Sequence, residues 1–286
     1  MTGGVVAAAG HLRIRDSTST VEAVISPHAG ALRRLKMRGV DLVEPTDAMD
    51  RPPGMAGAIL APWPNRVEDA TWWQDGRMHA LDVTEPELGH ANHGLLSEHR
   101  FDIGRHDDAS VELTAGIRRP PGYPFALEVA VRYEVSAVGV TVTTTVVNSG
   151  SDSAPVALGA HPYLRVGEAS VPESRLALDV THAYRLDGRN IPRERFAVGG
   201  TAWDLRGPTP VADAPGHATF VREHGEGVLR HRLLAQDGGV VELWADPDYR
   251  WTQLYRAEGF PASAGPRTAV AVEPMTASKS PSLLPK

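Results

Sequence analysis

The sequence predicts an all-β fold, a large single-domain sandwich of antiparallel sheets over residues 1–286. Three observations predict it. Apolar and polar residues alternate with period two along much of the chain. Clusters of Gly, Pro, Asn and Asp separate the alternating runs. No stretch repeats its apolar residues at i, i+3, i+4 and i+7 for more than about three helical turns. Many short strands joined by turns bury their apolar faces as sheet on sheet. A chain of 286 residues with 42% hydrophobic content can fill such a core, and all-β folds of about 200–250 residues or slightly more run as one domain.

From the N-terminus, strands are expected at residues 20–25, 31–37, 78–83 and 110–117. The clearest follows at 125–136. One face there reads Phe125, Leu127, Val129, Val131, Tyr133, Val135, and the other Ala126, Glu128, Ala130, Arg132, Glu134, Ser136. Only a pleat puts every second side chain on one side. Residues 138–147 are rich in Val and Thr, which suit a pleated surface. The two runs read as a hairpin with Gly139 as the turn residue. Further strands are expected at 156–161, 175–180, 228–235, 240–245, 251–255 and 268–273. The Pro-rich pieces at 52–53 and 120–124 read as loops, and no fixed-period repeat or linker divides the chain.

Composition excludes several functions. There is no cysteine, which removes disulfides, Cys-type zinc sites and a cysteine nucleophile. A net charge of −6 is wrong for a general nucleic-acid binder. No apolar run approaches the ~18 residues of a membrane span. Residues 3–10 are small and apolar but lack a preceding basic segment, so a cytoplasmic location is expected. No P-loop, GxGxxG or GxSxG motif is present.

Four segments combine reactive side chains with turn formers. In Pro62-Trp63-Pro64-Asn65-Arg66 a rigid loop holds a guanidinium, a planar donor fork for oxygen-rich ligands. Arg66 alternatively pairs with Glu68 or Asp69. In His90-Ala91-Asn92-His93-Gly94 two histidines stand three apart. Zinc normally takes three or four protein ligands, no HExxH helix accompanies them, and no metal is expected. In Gly159-Ala160-His161-Pro162-Tyr163 a proline fixes the backbone beside a histidine, whose reference pKa of ~6.5 suits proton transfer or a structural role. In Val270-Ala271-Val272-Glu273-Pro274-Met275-Thr276 a carboxylate ends an apolar strand. Burying it requires a partner or a shifted pKa, and a nearby His would complete an acid–base pair. Trp63, Trp72, Trp73 and Trp251 flank these segments, as sugar-facing aromatics or as core.

Together and in this order, the four segments resemble the aldose 1-epimerase (galactose mutarotase) family. The matching residues are Pro64-Asn65-Arg66 with the following Gly76-Arg77 turn, Asn92-His93-Gly94-Leu95, Gly159-Ala160-His161-Pro162-Tyr163 and Ala271-Val272-Glu273-Pro274-Met275-Thr276, supported by Thr252-Gln253-Leu254-Tyr255. The resemblance covers roughly residues 25–277. It implies a galactose mutarotase-like supersandwich and a cofactor-free isomerase that interconverts the α and β anomers of a free monosaccharide. By the same resemblance Glu273 is the general base, His161 the general acid, and Arg66, His93 and Gln253 bind substrate.

Two departures stand out. Aligning on Phe220 puts His217 where the family usually carries a hydroxyl-binding Asp. His217 is therefore expected to line the pocket, with Asp213 as the alternative hydroxyl binder. The chain also ends 13 residues after Glu273, in a segment, 278–286, that holds two of its three lysines. An atypical or truncated tail is expected there, which would leave a sheet edge open. Two other readings remain: a non-catalytic carbohydrate-binding sandwich, and a sugar-phosphate anomerase, which would need a basic phosphate clamp. A glycosidase would need two facing carboxylates, for which only Asp246 and Asp248 suggest themselves beside Glu273. Oligomeric state is not legible in the sequence.

Overall fold

The computed structural model describes residues 10–49, 51–223, 227–262 and 264–277. The expectation about the tail concerns residues 278–286 and lies outside them. Among the described residues the only helical segments are short 3₁₀ turns, and the ladders between strands are antiparallel.

Two sandwiches make up the molecule. In the first, Leu12–Arg15, Val21–Ser26, Ala31–Met37 and Val40–Asp41 form a meander. It packs on a second meander of Asp102–His106, Ser110–Arg118, Ala126–Ser136 and Gly139–Asn148. Leu12, Ile14, Ala23 and Ile25 meet Leu113, Leu127, Val129 and Val131 in one buried cluster. The alternation read from the sequence is the cause, since each strand sends its apolar set to the shared side.

The second sandwich is built on an eight-stranded sheet. Its order is Pro192–Ala197, His182–Leu186, His217–Val221, Trp251–Phe260, Arg267–Met275, Gly159–Ala160 and Ile59–Leu60, with Tyr163–Leu164 also on Arg267–Met275. The sheet of Thr209–Pro210, Arg175–Leu178, Leu229–Leu234 and Val240–Ala245 covers one side of it. Leu176, Leu178 and Leu233 pack there on Ala218, Phe220, Leu254, Val270 and Val272.

Two expectations need correction. Gly139 is not the turn residue. It pairs with Ser136 as the first strand residue, and the turn is Ala137–Val138. Residues 156–161 are not one strand. Only Gly159–Ala160 joins a ladder, because the Ala157 N–H goes to the Pro62 carbonyl and the Leu158 N–H to Thr276 Oγ1.

Candidate active site

Along Arg267–Met275 the pleat decides which residues see the core. Val270 and Val272 do, so Glu273 is on the opposite face. Register then sets its neighbours. Gln253 pairs with Glu273, and Thr219 with Gln253. On the other flank Gly159 pairs with Met275 and Tyr163 with Ala271, a register that brings His161 opposite Glu273. The outcome is a polar row across the sheet: His161, Glu273, Gln253, Thr219. His217, two residues before Thr219, shares this face and meets the Tyr255 ring edge-on with centroids 5.6 Å apart.

Two loops complete the site. Arg66 pairs with Asn92 in a short ladder, Ala61 bridges Gly94, and the His93 N–H donates to the Asn65 carbonyl at 3.0 Å. Asn65 and His93 both adopt left-handed backbone, with φ of 56° and 60°. Asn and His are among the non-glycine residues most often found in that region. Gly94 has φ of 78°, and a Cβ there would lie 2.2 Å from the Ala61 carbonyl oxygen. The two loops can zip together only around a glycine.

The polar atoms are closely specified. His161 Nε2 lies 3.3 Å from Glu273 Oε1, and both side chains are buried. Glu273 Oε2 is buried without a protein hydrogen-bond partner. Gln253 Oε1 accepts from Asn65 Nδ2 at 3.0 Å and from Thr219 Oγ1 at 2.6 Å. Arg66 donates through Nε and Nη2 to both oxygens of Glu85, each at 2.7 Å. The bidentate fork fixes the guanidinium plane.

Burial dominates the electrostatics. It pushes the Glu273 carboxyl up to about 8, with Arg66 opposing. It pushes His161 down to about 4. His93 falls well below its ordinary value, through burial first and then His161, Arg66 and His217. His217 drops to about 4 through burial and Arg66, with Glu85 opposing. Between about pH 4 and 8 the His161–Glu273 pair therefore holds a single proton, and the two shifts place it on Glu273 beside a neutral His161.

Ligand atoms of His93, His161 and Glu273 lie within 4.8 Å of one another, the residue types of a two-histidine, one-carboxylate metal site. The donor chemistry does not fit a metal. The Asn65 backbone N–H donates to His93 Nδ1 at 3.2 Å, so neutral His93 carries its proton on Nε2. Neither nitrogen then offers a free lone pair, and His93 acts as a hydrogen-bond donor. His90 lies outside this cluster and accepts the Asp69 N–H at Nδ1.

The aldose 1-epimerase family model matches residues 11–282. The chain belongs to that family. YihR of Escherichia coli K12, an uncharacterized protein, is 30% identical over 254 residues, covering 88% of this chain and 80% of YihR. Among solved structures, a galactose mutarotase-like protein from Clostridium acetobutylicum superposes with a TM-score of 0.81 at 20% identity, covering 99% of this chain and 90% of the other. The GalM/aldose epimerase homologue from C. elegans gives 0.78 at 20% identity, covering 95% and 91%. These likenesses carry the fold, an antiparallel mutarotase-like β-sandwich.

Of the residues singled out in this family member's sequence, His161, Glu273, His93, Arg66, Gln253 and His217 all converge on one sheet face and its two loops. Arg66 pairs with neither Glu68 nor Asp69, which instead engage Arg189 and Arg193. Asp213, Asp246 and Asp248 are exposed. Trp63 and Trp72 belong to the core. Sequence reasoning did not single out Glu85 or Thr219. Thr219 carries a weak signal, as a polar residue alternating with Ala218 and Phe220. Glu85 lies in a loop and carries none.

Proposed function

We propose that this chain is an aldose 1-epimerase that interconverts the α and β anomers of a free aldose of the galactose or glucose type, acting as a single domain without metal or organic cofactor. The observation that carries the reading is the buried His161–Glu273 pair, with Nε2 3.3 Å from Oε1. Ring opening removes the proton from the C1 hydroxyl and delivers one to the ring oxygen. Transfer of the pair's proton from Glu273 to His161 leaves the carboxylate ionised; Glu273 then takes the hydroxyl proton while the imidazolium gives its own to the ring oxygen as the C1–O5 bond breaks. The pair leaves this step as neutral acid and neutral imidazole, still with one proton between them. After rotation about C1–C2 the same two transfers run backwards and close the other anomer. Each positioned group contributes about 10²–10⁴ in rate.

The remaining polar groups hold the sugar. His93 donates from Nε2, Arg66 offers its remaining N–H groups on a plane fixed by Glu85, and His217 contributes a neutral imidazole. Gln253 accepts from both Asn65 and Thr219, so its amide has one orientation beside Glu273. A sugar-phosphate substrate is disfavoured because the Arg66 charge is already matched by Glu85. Glycoside hydrolysis is disfavoured because both Glu85 oxygens are tied to Arg66, which leaves Glu273 without a free second carboxylate. Polarimetry tests the proposal. The protein should accelerate the optical-rotation decay of freshly dissolved α-D-galactose or α-D-glucose, and a decay no faster than buffer across common aldoses would favour the non-catalytic binder.

A further inference from the structure

The last strand of the 102–148 sheet is an open edge of unusual composition. Gly139–Asn148 pairs with Ala126–Ser136 over ten consecutive residues without a bulge, and it is the terminal strand of its sheet. Among the described residues nothing hydrogen-bonds its outer side. Residues 140–147 read Val-Thr-Val-Thr-Thr-Thr-Val-Val, every one β-branched and none charged. The core does not fully cover it either. Val142 points to the core side, opposite Tyr133, yet is 40% exposed, and Val147 on the other face is 54% exposed.

Proteins normally blunt such an edge with charge, proline, a bulge or brevity, and several other sheet ends here do so. Asp102–His106 is short, shifts register and carries Asp102, Arg105 and His106. Pro192–Ala197 holds a proline and three charges. Val40–Asp41 and Thr209–Pro210 are two residues long. Val240–Ala245 is regular too, but it is shorter and carries Glu242, whereas Gly139–Asn148 is ten residues long and uncharged.

We propose that this edge pairs with the same edge of a second copy of the chain, in antiparallel register about Thr143. That register is chemically self-complementary. Val140 meets the second copy's Val146, Thr141 its Thr145, Val142 its Thr144, and Thr143 its own counterpart. Apolar and Thr–Thr cross-strand pairs of this kind are the favourable ones. Residues directly opposite share a face, so Val140, Val142, Thr144 and Val146 stay on the core side and shield one another. The contact is isologous and closes at two copies, because the other end of the sheet is charged and bulged. A single strand edge lies at the low end of interface sizes, so the association belongs to the weak, transient class.

Sedimentation velocity on the full chain tests this between about 1 and about 100 µM. The expected result is a shift from 30.7 kDa towards twice that mass. Thr143 is exposed, so Thr143→Lys and Thr143→Glu keep the fold, as circular dichroism should show. Each alone places like charges across the two-fold axis and should stay monomeric. Mixed one to one, the two variants should associate again. A wild-type protein of 30.7 kDa throughout, or a folded Thr143→Lys variant that dimerises like wild type, would overturn the proposal.

Discussion

Glu273 is a carboxylate in a place that penalises charge. Burial raises it from 4.5 to about 8, so folding disfavours its ionised form. The sign follows directly. Between about pH 4.5 and 8 the unfolded chain has lost this proton while the folded chain keeps it, so this group's contribution to stability falls as pH rises through that window. Glu273→Gln should therefore melt higher than wild type at pH 8, with the difference vanishing near pH 5 in differential scanning calorimetry. Activity should drop at least about 10²-fold in the same variant. The shared proton also shapes the pH profile. Turnover should be flat in the middle range, falling below about 4, where the pair gains a second proton, and above about 8, where it loses its last. An initial-rate profile peaking sharply inside the window would contradict a one-proton pair. Glu273 and His161 were legible in the sequence because a carboxylate closing an apolar strand and a His before proline are both locally anomalous. Thr219 and Glu85 were not, because their partners come from 34 and 19 residues away.

At the scale of elements, the site depends on two loops zipped around Gly94. Gly94→Ala would force a Cβ against the Ala61 carbonyl and a side chain into left-handed backbone. A loss of about 1–3 kcal/mol in stability is expected from denaturant melts, with kcat/KM falling because His93 shifts with its neighbour. The Arg66–Glu85 fork is the second device. Glu85→Gln leaves the guanidinium without its matching anion, and KM should rise several-fold while kcat changes less, since the change touches binding rather than proton transfer. Local pattern located the long strands well. Ala31–Met37 and Val240–Ala245 match their expected bounds, and Ala126–Ser136 differs by one residue. The strands His182–Leu186, Pro192–Ala197 and His217–Val221 escaped notice. Their second faces carry charge or site residues, so alternation there does not stand out. Register itself, which brings His161 opposite Glu273 across 112 positions, cannot be read from any local window.

Across the whole molecule, buried histidines make the fold sensitive to acid. His93, His161, His217 and His231 are all held below their ordinary value by burial. Unfolding releases them to titrate near 6.5. As pH falls from about 6.5 towards 4 the unfolded state takes up protons that the folded state refuses, and each group costs up to about 1.4 kcal/mol per pH unit. Glu273 acts in the opposite direction and offsets His161 over most of this range, which leaves His93, His217 and His231 to set the slope. Stability measured by urea midpoint should thus rise from pH 4 to about 6.5 and then decline gently towards 8. The pair sets the decline between about pH 6.5 and 8, and the proposed chemistry requires its two members to act as a unit. The most direct test is polarimetry of His161→Asn, Glu273→Gln and the double variant on the sugar that wild type turns over fastest. Groups acting as one unit lose activity non-additively, so the double variant should be no slower than the worse single variant. Wild-type rates in Glu273→Gln, or losses that multiply in the double variant, would show that the two groups do not work as one proton-transfer pair.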